Sequence, residues 1–392
     1  MRIIVISPLP PYPSGLAYYS LNLYNELSKL CDVSILSNIN AEVSPSRNFK
    51  LIKCFTSSVK SAIRTLFTAF KMHGELIHIQ VEYRFIGSLL NFLMLPSLLL
   101  LAKASHSSKK TVITLHGVLT KDAIKYWLDE ISSLRLPKVI RHIIAVIAFS
   151  IWIFSIRFLA LLSDVIIVHN TYMKERLESL LSPQERKKLR VIPHGVYKPS
   201  AKNLMGLSSN DQHIILFLGF IRHSKGLTTL IKTVKLASRE IPNLKLVIVG
   251  RMIKRSWEKP LKVRSHDSLT VISSELPDEQ LDKLITQASI IVFPYDDKFI
   301  EASGSLCRVA LFFKPIICTR IPRFYELTHM QDAVIIKPGD YQQLANFIVY
   351  LLKNRKLSLK LGKNLAEKFS SKTWNKVARM HHELFLKVLG ER

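Results

Sequence analysis

Glu301, Ser303, Gly304 and Ser305 sit together just ahead of an apolar run from Leu306 to Phe313. A helix opening at such a turn offers free backbone N–H groups and the positive end of its dipole. With a carboxylate just outside, the stretch suits an anion beside a hydroxyl-rich ligand. It equally suits an ordinary βα loop with Ser303 as N-cap. Arg222 and Lys225 follow a strand ending in Gly219, and Arg251 follows one ending in Gly250. Cations and backbone donors together are what a diphosphate needs. A departing diphosphate gains charge in the transition state, so fixed donors lower the barrier. Taken singly, each of these cations also reads as a solvated loop charge. The chain has no Asp-x-Asp pair, so no dedicated metal site is expected.

The first half carries its own candidates. His116 closes the predicted strand Thr111–Leu115 and is followed by Gly117; His169 closes Asp164–Val168. Glu82 and Tyr83 follow the strand Ile77–Val81, and Gly15 follows Ile3–Ile6 across a proline-rich loop. Open parallel sheets place ligands at the carboxyl ends of their strands. A lone histidine is more often structural, and Gly15 alone also reads as a tight turn.

These residues need a scaffold of alternating strands and helices. Continuous apolar strands such as Ile3–Ile6 and Ile290–Phe293 are the kind buried in parallel sheets. Helices are expected at Gly15–Leu30, Ser58–Met72, Leu227–Ser238 and Pro277–Gln287, and two close the chain after its last strand. The run Phe85–Ala102 is apolar but interrupted by Pro96, and Tyr295–Ile300 reads as a polar loop. Val196–Gln212, rich in Ser, Asn and Gly, is the best linker. At 392 residues the chain is long for one core. The expected division is residues 1–197, residues 198–372 and a terminal helix, 373–392.

Composition narrows the classes. A hydrophobic content of 48% with 22% charged residues is globular. Cys31, Cys54, Cys307 and Cys318 show no ligand-like spacing and read as core hydrophobes in a reducing compartment. Arg2 runs straight into a strand pattern, so no signal peptide is expected. The net charge of +27 is spread over both halves. No basic helix or zinc module points to nucleic acid, which leaves an anionic small ligand or an anionic membrane surface. Residues 143–162 have the length of a membrane span. Arg157 within them, and a sheet strand right after, argue against a span. They read either as a helix partly facing lipid or a partner, or as a buried core helix. Arg135, Lys138, Arg141 and His142 flank them.

The chain resembles the GT-B fold glycosyltransferases of the large retaining family 4. The resemblance rests on PYPSG, HIQVEYRFIG, TLHG, SDVIIVHN and VIPHGV in the first half, and on FLGFIRHSKG, VIVGR, FPY, EASGSL, KPIICT and KPGD in the second. It implies an α/β architecture of two Rossmann-like, doubly wound domains facing across a cleft, with the last helix crossing back to the first. The co-substrate would be a nucleotide diphosphate sugar, with no other cofactor and no metal. Arg222 and Lys225 would hold the diphosphate with Gly15, Gly304, Ser305 and Leu306. Gly219, Gly250, Arg251 and Ser303 would line the nucleotide and sugar pocket. His116 and Glu301 would be catalytic, Glu301 matching the first acid of the family's E-x7-E motif. Glu82, Tyr83 and His169 would lie on the acceptor side.

Two departures stand out. The second motif acid falls on Val309, or on Arg308 when counted back from KPIICT, and neither is acidic. The usual Gly-Arg after the strand is Gly219-Phe220, with Arg222 two residues on. The expected activity is hexose transfer with retention to a glycan or lipid-linked hydroxyl, by a cytoplasmic, membrane-peripheral protein. Missing the second acid, a degenerate sugar-nucleotide-binding subunit is the alternative. An epimerase would need more carboxylates than the first half offers.

Overall fold

The structure, a computed structural model, describes residues 1–43, 48–83, 88–105, 109–131, 137–199, 212–252 and 268–390. Most of the expected linker (200–211), Arg135 and residues 84–87 of the HIQVEYRFIG stretch lie outside that range. Two compact units form. The first takes Met1–Gly195, Phe299–Gly304 and Trp374–Arg392; the second takes Val196–Lys298 and Ser305–Thr373.

The first unit is built on eight strands that precede Gly195: β1 Arg2–Ile6, β2 Asp32–Asn38, β3 Lys50–Phe55, β4 Leu76–Val81, β5 Lys110–Leu115, β6 Gly117–Val118, β7 Val165–Val168 and β8 Leu189–Val191. Seven of them make a sheet of order β3-β2-β1-β4-β5-β7-β8, with every pair parallel. β4 is buried along its whole length, which is why its sequence does not alternate. The second unit holds β9 His213–Leu218, β10 Leu244–Val249, β11 Leu269–Ile272, β12 Ile290–Phe293, β14 Ile316–Thr319 and β15 Val334–Ile336. They form a parallel sheet of order β11-β10-β9-β12-β14-β15. Each sheet is doubly wound. The strand order reverses between β1 and β4 in the first and between β9 and β12 in the second, and ligands bind outside such switch points.

The last helix, Trp374–Leu389, belongs to the first unit and packs against the helix Gly15–Leu27. Its Trp374 ring covers Gly195, where an added Cβ would come within 2.3 Å of the indole. That accounts for the glycine of VIPHGV without any ligand.

Four expectations change. The helix Leu89–Ser105 runs through Pro96, surrounded by buried Phe92, Leu95 and Leu99. The helix expected over Leu306–Phe313 is six residues, Gly304–Val309. Tyr295 and Asp297 are fully buried, so the expected polar loop is an interior segment. Strand β13, Ile300–Glu301, pairs antiparallel with β6, Glu301 opposite Gly117. Two residues are too few to leave a periodicity signal.

Candidate functional site

In the second unit the switch point collects charge. β9 ends at Leu218, and Gly219, Arg222 and Lys225 follow; β12 ends at Phe293, and Tyr295 and Asp297 follow. Gly219 and Gly250 both have φ +149°, and a Cβ on Gly250 would come within 1.9 Å of the Gly219 carbonyl. Only glycine lets the two loops touch there. The Ser305 hydroxyl bonds the Tyr295 phenol beside Gly219. Leu306 packs in the core of this unit.

Asp297 is the hub. Its Oδ2 lies 2.9 Å from Arg323, 3.7 Å from Lys225 Nζ and 3.9 Å from Arg222. Lys225 Nζ also sits 3.6 Å from the centre of the Tyr295 ring. Burial pushes the Asp297 carboxyl up, but Arg323, Lys225 and Arg222 outweigh it and hold the pKa below its usual value. Burial, then the neighbouring Arg323, pushes Lys225 well below the usual lysine range; Asp297 opposes that only in part. Three cations face one carboxylate, so the cluster has an excess of positive charge in a water-poor place. Arg222 Nε and Ser224 Oγ, both donors, are buried with no hydrogen-bond partner among the described residues. Such a cluster can take a multiply charged anion. Arg251 is not part of it: its guanidinium lies 3.6 Å from Glu275.

In the first unit Glu301 is held by the β13–β6 pairing and accepts a hydrogen bond from the Tyr83 phenol. The Tyr83 ring lies on Gly117, where a Cβ would meet it at 2.5 Å, and against Phe299. So Tyr83, Gly117 and Glu301 are brought together, and the glycine of TLHG is needed for that contact. Among the described residues, Gly304 has only His194 Nε2 near its missing Cβ, and Gly15 has nothing within 4 Å. Packing against the described residues therefore does not require a glycine at position 15. Ser303 is buried, and Glu82 is half-buried just after β4.

His116 and His169 sit in a chain of neutral groups. His169 Nδ1–H donates to the Ile192 carbonyl (3.1 Å), and its Nε2 lies 3.0 Å from His116 Nδ1. His116 Nε2 lies 2.6 Å from the Gln80 side-chain oxygen. Gln80 Nε2 donates to Tyr24 Oη at 2.6 Å, and the two ring nitrogens of His78 meet Tyr24 Oη at 3.0 Å and Thr114 Oγ1 at 2.8 Å. Burial holds His116 and His78 well below the usual histidine range and brings His169 to about 3. Both nitrogens of His116 are thus engaged by the protein, and contact with a ligand requires exchanging one of them. Tyr19 packs its ring on His116, His169, His194 and Trp374.

Both residues that could stand for the second motif acid are structural. Val309 is in the core of the second unit. Arg308 is buried, 2.5 Å from Asp282 and 3.2 Å from Asp278, with its guanidinium over the Tyr197 ring. Neither offers a carboxylate. Sequence reasoning missed Asp297, Arg323 and Tyr295. Asp297 looked like one of three charges in a polar loop, and nothing around Arg323 marks it as buried. The one signal available was aromatic Tyr295 directly after a buried strand.

Residues 206–368 match the family model described as Glycosyl transferases group 1. Over 142 residues the chain is 26% identical to a 2-deoxystreptamine N-acetyl-D-glucosaminyltransferase of Niallia circulans, covering 36% of either protein. That is about a third of the curated relative's length. Sucrose-phosphate synthase from Thermosynechococcus elongatus superposes with a TM-score of 0.72 at 17% identity, over 100% of both chains. Anabaena HepE in complex with UDP-glucose gives 0.72 at 12% identity, over 99% of this chain and 100% of that one. These likenesses establish the fold as GT-B, with two Rossmann-like units.

Proposed function

We propose that this chain, whose residues 206–368 match the group 1 glycosyl transferases, transfers a hexose from a nucleotide diphosphate sugar to a hydroxyl. The observation that carries the reading is the buried excess of cations around Asp297, at the carboxyl end of the β9–β12 switch point. Arg222, Lys225 and Arg323 hold the diphosphate and stabilise it as it leaves. They supply positive charge that a divalent ion would otherwise bring, so the reaction is proposed to need no metal. Glu301, four residues beyond Asp297 in the chain, accepts hydrogen bonds from hydroxyls of the transferred sugar. The acceptor is a glycan or a lipid-linked hydroxyl, and the anomeric configuration is retained. The free cysteines, two of them buried, support a reducing, cytoplasmic setting.

The test is turnover of a panel of labelled nucleotide sugars with membrane extract, for wild type and Glu301→Ala. Loss of transfer by at least about 100-fold is expected, on the scale of removing a group that acts in the transition state. Undiminished transfer by the variant removes Glu301 from the mechanism. NMR of the product linkage decides retention. A second reading, a sugar-nucleotide-binding subunit without turnover, is favoured by the missing acid at Val309 and the pinned Arg308. Nucleotide-sugar binding without transfer from any donor would establish it.

A further inference from the structure

Among the described residues, the helix Lys138–Leu162 is long and apolar enough to cross a membrane. In this fold it does not. Trp152, Ile156, Leu159 and Ala160 are in the core of the first unit, and β5 and β7, before and after the helix, pair in one sheet. The buried side accounts for one face only. Ile140, Ile143, Ile147, Ile151, Phe154 and Leu161 are each between 43% and 69% exposed. Their spacing puts them on one stripe, about 30 Å long at the α-helical rise. The neighbouring helix Leu89–Ser105 packs beside it and exposes Leu90, Leu100 and Leu101. This excludes a fully buried core helix.

The charges borne by the two helices themselves have one sign. Neither helix contains an Asp or Glu. Lys138, Arg141 and His142 stand at the start of the long helix; on the neighbouring helix Lys121, its Nζ 5.9 Å from the Phe149 ring, is followed by exposed Asp122. Arg157, on the stripe, reaches Glu185 at 4.0 Å, and the chain as a whole carries +27.

We infer that this face lies flat on an anionic lipid bilayer. The apolar stripe enters the boundary between head groups and acyl chains, and the cations meet the lipid phosphates. A second copy of the chain would bring like charges together, whereas an anionic bilayer complements both the stripe and the net charge of +27. The docking stands without the transferase reading. Its consequence, an acceptor presented at the membrane surface, rests on that reading.

The experiment is flotation of the full chain with vesicles of phosphatidylglycerol mixed into phosphatidylcholine, and with phosphatidylcholine alone. The variants are Ile143→Ser/Ile147→Ser/Ile151→Ser/Phe154→Ser and Lys121→Glu/Lys138→Glu/Arg141→Glu. Circular dichroism and binding of nucleoside diphosphate are measured alongside, to show that each variant is folded. Wild type should float with anionic vesicles at least tenfold better than with neutral ones. The apolar variant should lose binding at least tenfold, and the charge-reversal variant should lose only its preference for anionic lipid. Equal flotation of wild type and folded apolar variant overturns the inference. So does a wild-type dimer in solution that the apolar variant abolishes, because the stripe is then covered by a second copy. Loss of vesicle binding with nucleotide binding intact separates failure of docking from failure of the proposed function.

Discussion

In the second unit, Asp297, Lys225, Arg222 and Arg323 lie side by side, and the three cations hold the carboxyl ionised. In the first unit, five buried or half-buried histidines, His78, His116, His169, His194 and His381, are all held below the usual histidine range. One region keeps charge by pairing it incompletely; the other keeps polarity by giving charge up. Burial is the common cause, and the neighbours decide the outcome. A carboxylate among cations stays ionised, whereas an imidazole among imidazoles stays neutral. The charged region suits an anion. The neutral one can exchange hydrogen bonds with uncharged hydroxyls.

Acid should break the contrast first. Burial places His169 at about 3 and His194 and His381 at about 4, against an ordinary 6.5. The unfolded chain therefore binds more protons than the folded one below pH 6.5. Stability is full above that pH and falls towards those lower values. Each such group removes about 1.4 kcal/mol per pH unit. Thermal unfolding followed from pH 7.5 to 5 should show a steep loss beginning near 6.5. A flat profile means that these histidines are not neutral in the fold.

Next in size is Lys225→Ala. Losing a buried charge-assisted contact of about 1.5–3 kcal/mol should weaken nucleoside diphosphate binding about 10- to 100-fold by calorimetry. Unchanged affinity in the variant would put the anion elsewhere.

Asp297→Asn should act in the opposite direction. Without its carboxylate the cluster gains net positive charge, so nucleoside diphosphate should bind about tenfold tighter, the scale of one charged contact. The free protein should melt earlier, and saturating nucleotide should restore more of its melting temperature than it adds to wild type. Weaker binding would show that Asp297 contacts the ligand's side of the cluster and does not serve as an internal counter-charge.

Smallest is Tyr83→Phe. It removes one hydrogen bond to Glu301, about 1 kcal/mol or fivefold. If Tyr83 only positions the carboxylate, kcat should fall with KM unchanged. A raised KM with intact kcat would make Tyr83 a substrate-binding group instead.

The strands were legible because parallel sheets bury both faces and write continuous apolar runs: Ile3–Ile6, Ile77–Val81 and Ile290–Phe293 each lie inside an observed strand or match it. Arg222, Lys225 and Gly219 were legible because they follow such runs. Asp297 was not, since a carboxylate in a loop reads as solvated until the cations that surround it are known. Two of those cations are more than 70 residues earlier in the chain, and the third is 26 residues later. Arg308 was legible as a departure from a motif, but not as the partner of Asp282.

By itself, then, the sequence determined the alternation of strands and helices, the glycine-marked strand ends and the positive excess, since periodicity and composition are local or summed quantities. Tertiary structure alone decided which charges are buried together, which histidines lose their protons, that Glu301 is pinned by Tyr83 opposite Gly117, and which side of the helix Lys138–Leu162 is left uncovered. Those depend on neighbours distant in the chain, and desolvation and pairing act through space rather than along the backbone.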